Sequence, residues 1–189
     1  ELAKLLLIPW VSTGAFYRGL AYVAIQKQID LTDKKSLAEL AASDEWSVKM
    51  SDEKTQVWFD NKDVTAMIFQ EEVGNFASQI SHYAEVRSSL LDHQRKCADF
   101  AEGLIAEGRD CGTVVFPDAE VKVYLTASSE NRAQRRAQEL GLDEKELAKQ
   151  QKQRDQQDSN RAVAPLQVPK EALVVDTSTM TLAEVVKQI

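Results

Sequence analysis

The chain has 189 residues, 43% of them apolar, which is enough to build a core, and its formal net charge is −7. That acidic balance excludes an extended basic face, so neither nucleic acid nor an anionic membrane is an expected partner, and any anionic ligand must meet a local group of cations. The longest apolar run, Leu5 to Val11, is broken by Pro9 and is too short to span a bilayer. Cys97 and Cys111 have neither metal-ligand nor redox spacing, which points to a reducing cytoplasm and to no metal site.

In chain order, Glu1-Leu2-Ala3-Lys4-Leu5-Leu6 reads as the last turns of a helix, and Val185 to Ile189 stops in mid-pattern, so a piece of the chain is expected to be missing. Ser12-Thr13-Gly14 is a polar turn. Ala15, Leu20, Ala21, Val23, Ala24 and Ile25 then predict a helix from about Gly14 to Gln28, with Arg18 one turn in. Thr32 is the expected cap of a second helix ending near Ala42. Trp46, Val48 and Met50 alternate with polar residues ahead of Val57-Trp58-Phe59, which predicts a small antiparallel hairpin, read as an insert rather than core. Residues 65 to 100 turn helical and carry Ser78 and Arg87. Three short strands, Leu104–Ala106, Val121–Leu125 and Leu173–Val175, are separated by helical segments, the pattern of a parallel sheet with helices on its faces. His82 and His93 read as surface residues, Trp10, Trp46 and Trp58 as packing, and Cys111 as a small packed residue.

Three groups of charged residues stand out. After the strand at 104–106 the chain presents Gly108-Arg109-Asp110, which is either a surface turn with a salt bridge or the rim of a ligand site at the carboxyl end of an open sheet. Ser128-Ser129-Glu130-Asn131 starts a helix bearing Arg132, Arg135 and Arg136 on one face, in a polar stretch running to Gln157 that suits a solvated lid and an anion clamp equally. Arg154, Asp158 and Arg161 follow at i, i+4 and i+7, either as a surface salt-bridge ladder or as a binding face. Lysines are more numerous and scattered, whereas arginines gather at strand ends and helix starts, where their planar fork suits phosphate.

These residues bring the chain close to a known family. Thr13-Gly14-Ala15-Phe16-Tyr17-Arg18, Ala77-Ser78-Gln79 with Arg87, Gly108-Arg109-Asp110-Cys111-Gly112-Thr113-Val114-Val115-Phe116-Pro117-Asp118-Ala119, Arg132 with Arg135-Arg136, and Arg154 with Asp158 and Asn160-Arg161-Ala162-Val163-Ala164-Pro165-Leu166 occur in order. The chain thereby resembles the bacterial cytidylate kinases, nucleoside monophosphate kinases of the P-loop class. The resemblance implies a three-layer α/β fold with a parallel sheet, in one kinase domain over residues 1–189. It implies a small antiparallel monophosphate-binding insert at about 33–65 and a helical lid at 128–155. The activity implied is transfer of the γ-phosphoryl group of ATP, bound with Mg²⁺, to CMP or dCMP, by a cytoplasmic monomer.

By the same resemblance Ser78, Arg87 and Asp110 would read the cytosine edge. Thr13, Arg18, Arg109 and Arg161 would hold the phosphate of the monophosphate, and Arg154 with Asp158 its sugar. Arg132, Arg135 and Arg136 would close over the donor phosphates and, with Arg109, serve catalysis. Another acceptor, UMP or AMP, or a non-catalytic nucleotide-binding module are the alternatives. The family's first strand and Gly-rich phosphate loop have no counterpart in these residues, so a preceding segment is expected, without which little transfer would occur and the sheet would keep unpaired edges. Ser12 stands where the family usually has aspartate, and Phe69 where an arginine is common.

Overall fold

The computed structural model describes residues 1–100, 102–140, 148–149, 152, 155–156, 159 and 163–189, which divide into two compact units, Glu1–Cys111 and Gly112–Ile189. In the first unit a short helix α1 (Leu2–Leu6) ends in a left-handed Leu7 and leads to strand β1 (Trp10–Ser12). Helix α2 (Gly14–Gln26) follows, then α3 (Lys34–Ala41). Strands β2 (Trp46–Met50), β3 (Thr55–Phe59) and β4 (Lys62–Asp63) form an antiparallel sheet, with Trp46 opposite Phe59 and Met50 opposite Thr55. Helices α4 (Thr65–Ile68), α5 (Glu71–Ile80) and α6 (Ala84–Lys96) and a 3₁₀ turn (Cys97–Phe100) lead to strand β5 (Ile105–Glu107).

β5 pairs parallel with β1, Trp10 opposite Ile105 and Ser12 opposite Glu107. Parallel strands had been expected, but not β1. Its three residues carry no alternation, and the strand is defined by distant partners instead: Trp10 N donates to the Ser51 carbonyl at 3.0 Å, Ser12 N to Thr55 Oγ1 at 3.0 Å, and Thr55 Oγ1 to the Trp10 carbonyl at 3.1 Å. The cap of α3 is also corrected. Asp33, not Thr32, accepts from the backbone N–H groups of Lys35 and Ser36, at 3.2 and 3.1 Å. Thr32 is taken by Asp30, whose carboxylate accepts from both its N–H and its hydroxyl.

Leu20, Leu37, Ile68, Ile80 and Leu90, one from each of α2 to α6, are fully buried and form the centre of the core. Each contributes on the order of 1.5–3 kcal/mol of burial. The hairpin belongs to that core, contrary to its reading as a mere insert. Period-two alternation turns Trp46 inward and leaves Ser47 and Lys49 exposed, while Val57 of β3 is wholly buried. Phe16 of α2 meets the Trp46 ring edge-on at 6.3 Å, and the Trp46 indole N–H donates to the Leu40 carbonyl at 3.0 Å.

The second unit opens with the remainder of a tight π-helical turn (Cys111–Val115), followed by β6 (Val123–Thr126) and β7 (Leu173–Asp176), paired parallel with Val123 opposite Leu173. Helix α7 (Ser129–Leu140) starts where Ser128 Oγ accepts from the Asn131 N–H at 3.2 Å. Helix α8 (Leu182–Gln188) starts at a reciprocal cap between Thr181 and Glu184. The architecture is α/β with parallel strand pairs and a separate small antiparallel sheet, consistent with a P-loop kinase-like fold. Among the described residues no helix is long and apolar enough to cross a membrane.

Candidate active site

Because β1 and β5 run parallel, their carboxyl ends lie side by side, and the chain leaves them at Thr13 and at Gly108. Ligands of open α/β sheets bind at such ends. Thr13 is buried there: its N–H and its hydroxyl both donate to the Glu107 carbonyl, at 2.9 and 3.1 Å, and its Oγ1 lies 3.4 Å from the Cys111 thiol. Gly108 is required by this approach, since a Cβ there would run into Thr13 Oγ1 and sit 3.1 Å from Cys111 Sγ. Burial pushes the Cys111 thiol up to about 12, against the weaker effect of the Thr13 hydroxyl, which makes it the packed residue that was expected.

Helix α6 lines this end with two side chains. Arg87 forms an ion pair with Asp110, and both side chains are buried, at 7% and 8% exposure. Arg87 Nη1 also donates to the Ser81 carbonyl at 3.2 Å, and its guanidinium lies 5.5 Å from the centre of the Tyr17 ring. Ser81 Oγ in turn donates to the Ser78 carbonyl at 2.7 Å, so Ser81 meets Arg87 through its carbonyl and the Ser78 backbone through its hydroxyl. Two turns on from Arg87, the buried Gln94 donates from Nε2 to the Thr13 carbonyl at 3.2 Å. Sequence reasoning missed Gln94. Its signal was a glutamine at i+4 from Leu90 and i+8 from Val86, in line with an apolar stripe.

Arg109 is exposed beside Asp110. Arg18 stands on α2. Its Nη1 donates to the carbonyls of Ile68, at 2.9 Å, and Gln70, at 3.3 Å, at the corner between α4 and α5.

In the second unit Arg132 Nη1 pairs with Asp155 at 2.5 Å, while its buried Nε has no hydrogen-bond partner among the described residues. Arg135 is committed to its own unit: it donates to the Thr177 carbonyl, to Thr177 Oγ1 at 3.3 Å and to the Met180 carbonyl at 3.0 Å. It therefore ties α7 to the turn after β7 as well as standing on the arginine face. The Arg136 side chain and the whole of Arg154, Asp158 and Arg161 lie outside the described residues. Among the described residues no group of three or more His, Cys, Asp or Glu side chains stands together as a metal site.

A buried carboxylate–guanidinium pair with Arg109 beside it, at the carboxyl ends of parallel strands, is an arrangement suited to a polar, anionic ligand of an α/β protein. The comparisons with known proteins are narrower. The family model for cytidylate kinase matches residues 1–189. The chain is 61% identical over 189 residues to a cytidylate kinase of Bdellovibrio bacteriovorus, covering all of this chain and 87% of that protein. It is 44% identical to one from Aeromonas salmonicida over 95% of this chain and 80% of that protein, and 43% identical to one from Serratia proteamaculans over 94% and 80%. The chain belongs to the cytidylate kinase family.

Proposed function

We propose that the chain transfers the γ-phosphoryl group of ATP to CMP or dCMP, and that Ser78, Arg87 and Asp110 choose the base. The observation that carries this is the buried Arg87–Asp110 pair at the sheet's carboxyl end. Cytosine presents an amino group that a carboxylate accepts and a carbonyl to which a guanidinium donates; uracil lacks the amino donor. A buried carboxylate left unpaired against the wrong base carries a large penalty, and such penalties give strong discrimination.

Thr13, Arg18, Arg109 and Arg161 are assigned to the phosphate of the acceptor, and Arg154 with Asp158 to its sugar. Arg132, Arg135 and Arg136 are assigned to the donor phosphates. A phosphate oxygen of CMP attacks the γ-phosphorus in line, the new P–O bond forms, the bond to the β–γ bridging oxygen breaks, and ADP leaves. The attacking oxygen is already ionised at neutral pH, so no general base is needed. Mg²⁺ enters on ATP as part of the donor substrate, held through phosphate oxygens and water. The chain's own part is alignment and cationic stabilisation of the transferring group, with Arg109 among the catalytic arginines. The reading includes a monomer working in a reducing cytoplasm.

Calorimetric titration with CMP, UMP and AMP tests the assignment. Saturable binding that favours CMP, and that Asp110→Asn weakens for CMP more than for UMP, is expected. Equal affinity for the three, or no change in Asp110→Asn, would overturn the base-reading role.

A further inference from the structure

The guanidinium of Arg18 leaves α2 and lies across the corner where α4 meets α5. Its Nη1 donates to the Ile68 carbonyl at 2.9 Å and the Gln70 carbonyl at 3.3 Å, and its Cζ stands 5.7 Å from the centre of the Phe69 ring. Both carbonyls are met by the same nitrogen, and the aromatic ring adds an attraction for the delocalised charge.

The same guanidinium lies against Gly74, which is buried in α5 (Glu71–Ile80). A Cβ at position 74 would stand 2.7 Å from Nη2, 3.0 Å from Nη1 and 3.1 Å from Cζ of Arg18. Such a methyl group and the present place of the guanidinium exclude each other. Its nearest contacts are all atoms of one long side chain that can swing aside, so the conflict would displace Arg18 rather than distort the backbone. Glycine is among the poorest helix formers and alanine the best, so local helix stability gives no reason for a glycine inside α5.

We propose that Gly74 and Phe69 are positioning residues for Arg18, Gly74 by leaving open the slot in which the guanidinium lies and Phe69 by lining it. The inference rests on the assignment of Arg18 to the phosphate of CMP. An arginine ordered before the ligand arrives loses little further side-chain freedom on binding, and that pre-ordering appears as affinity for the phosphate group alone.

Titration of the full chain with CMP and with cytidine, which has the base and sugar but no phosphate, separates the possibilities. Arg18→Ala is expected to weaken CMP by about tenfold or more, the scale of a lost hydrogen bond to a charged group, and to leave cytidine unchanged. Gly74→Ala weakens CMP about threefold to tenfold, leaves cytidine unchanged, and melts at the same temperature as the parent or higher. Phe69→Leu moves CMP in the same direction by about twofold. The double variant Arg18→Ala with Gly74→Ala binds CMP no worse than Arg18→Ala alone, because the slot has lost its occupant.

If Arg18→Ala weakens CMP while Gly74→Ala and Phe69→Leu bind it like the parent, the positioning role is wrong and the phosphate assignment stands. An Arg18→Ala variant that binds CMP normally overturns the assignment and the positioning role with it. Equal losses for CMP and cytidine in Gly74→Ala, or additive losses in the double variant, would show general damage and also overturn the positioning role.

Discussion

In the first unit Arg87 and Asp110 pair at 7% and 8% side-chain exposure, while in the second Arg132 and Asp155 pair at 33% and 22%. The first pair sits against the cluster that runs from Val11 to Cys97, with a second hydrogen bond to Ser81 and an aromatic ring beside the guanidinium. The second pair belongs to a unit whose strands leave Leu125, Leu173 and Val174 half exposed. The contrast matches the two tasks assigned to them. A base-reading carboxylate discriminates only if water cannot replace the missing partner, which demands burial. A donor-phosphate arginine must exchange one anion for another, which the more exposed of the two pairs permits, at about 1 kcal/mol.

The largest expected effect tests that contrast directly. Asp110→Ala leaves a buried guanidinium unpaired and should cost about 3–5 kcal/mol in urea unfolding, together with the loss of measurable CMP binding. Asp155→Ala should cost under about 1 kcal/mol. Similar costs for the two would break the comparison. Next in size is Gln94→Ala, which removes a buried donor to the Thr13 carbonyl and should cost about 1–3 kcal/mol, with weaker CMP binding as the Thr13 turn loosens. Gln94→Leu keeps the volume but not the hydrogen bond, so a similar loss of affinity in both variants would assign the effect to the bond. Arg135→Ala in the second unit should cost about 1 kcal/mol, because its bonds to Thr177 are only partly buried and its bond to Met180 is exposed. A larger loss of stability would make Arg135 chiefly a structural tie.

Much of this was legible in the sequence because the signals were local. The helix after Gly14, the alternating hairpin at 46–59 and the arginine-bearing helix after Ser128 follow from patterns within a dozen residues. The glycine between β5 and the Arg109-Asp110 pair marked the sheet's carboxyl end, where the structure indeed places Asp110. Features set by distant partners were not legible. β1 exists through Ile105, Ser51 and Thr55, and nothing in Trp10-Val11-Ser12 announces them. Thr32 and Asp33 are both good caps, and the choice was made by Asp30 capturing Thr32. Gly74 reads as a defect in a helix until the Arg18 guanidinium is seen against it. Arg135 was placed on one face with its neighbours by spacing and given its role by resemblance, and neither carries information about the carbonyls of Thr177 and Met180.

The smallest expected effect measures how tightly the acceptor end is closed. Burial pushes the Cys111 thiol up to about 12 and the Cys97 thiol up to about 11. A thiol raised above its unfolded value favours the folded state fully below about pH 8.5–9, and that contribution is lost as pH climbs toward the folded value. The thiolate is the reactive form, so at pH 8 Cys111 in the folded chain should react with a disulfide reagent about a thousandfold more slowly than in urea, with little change in stability below pH 8.5. Slow labelling of both cysteines agrees with a first unit that holds its shape before the nucleotide arrives. Fast labelling of Cys111 with Cys97 still protected would mean that the Thr13–Gly108 contact opens without the core. The discrimination expected of Asp110 would then have to arise after CMP binds.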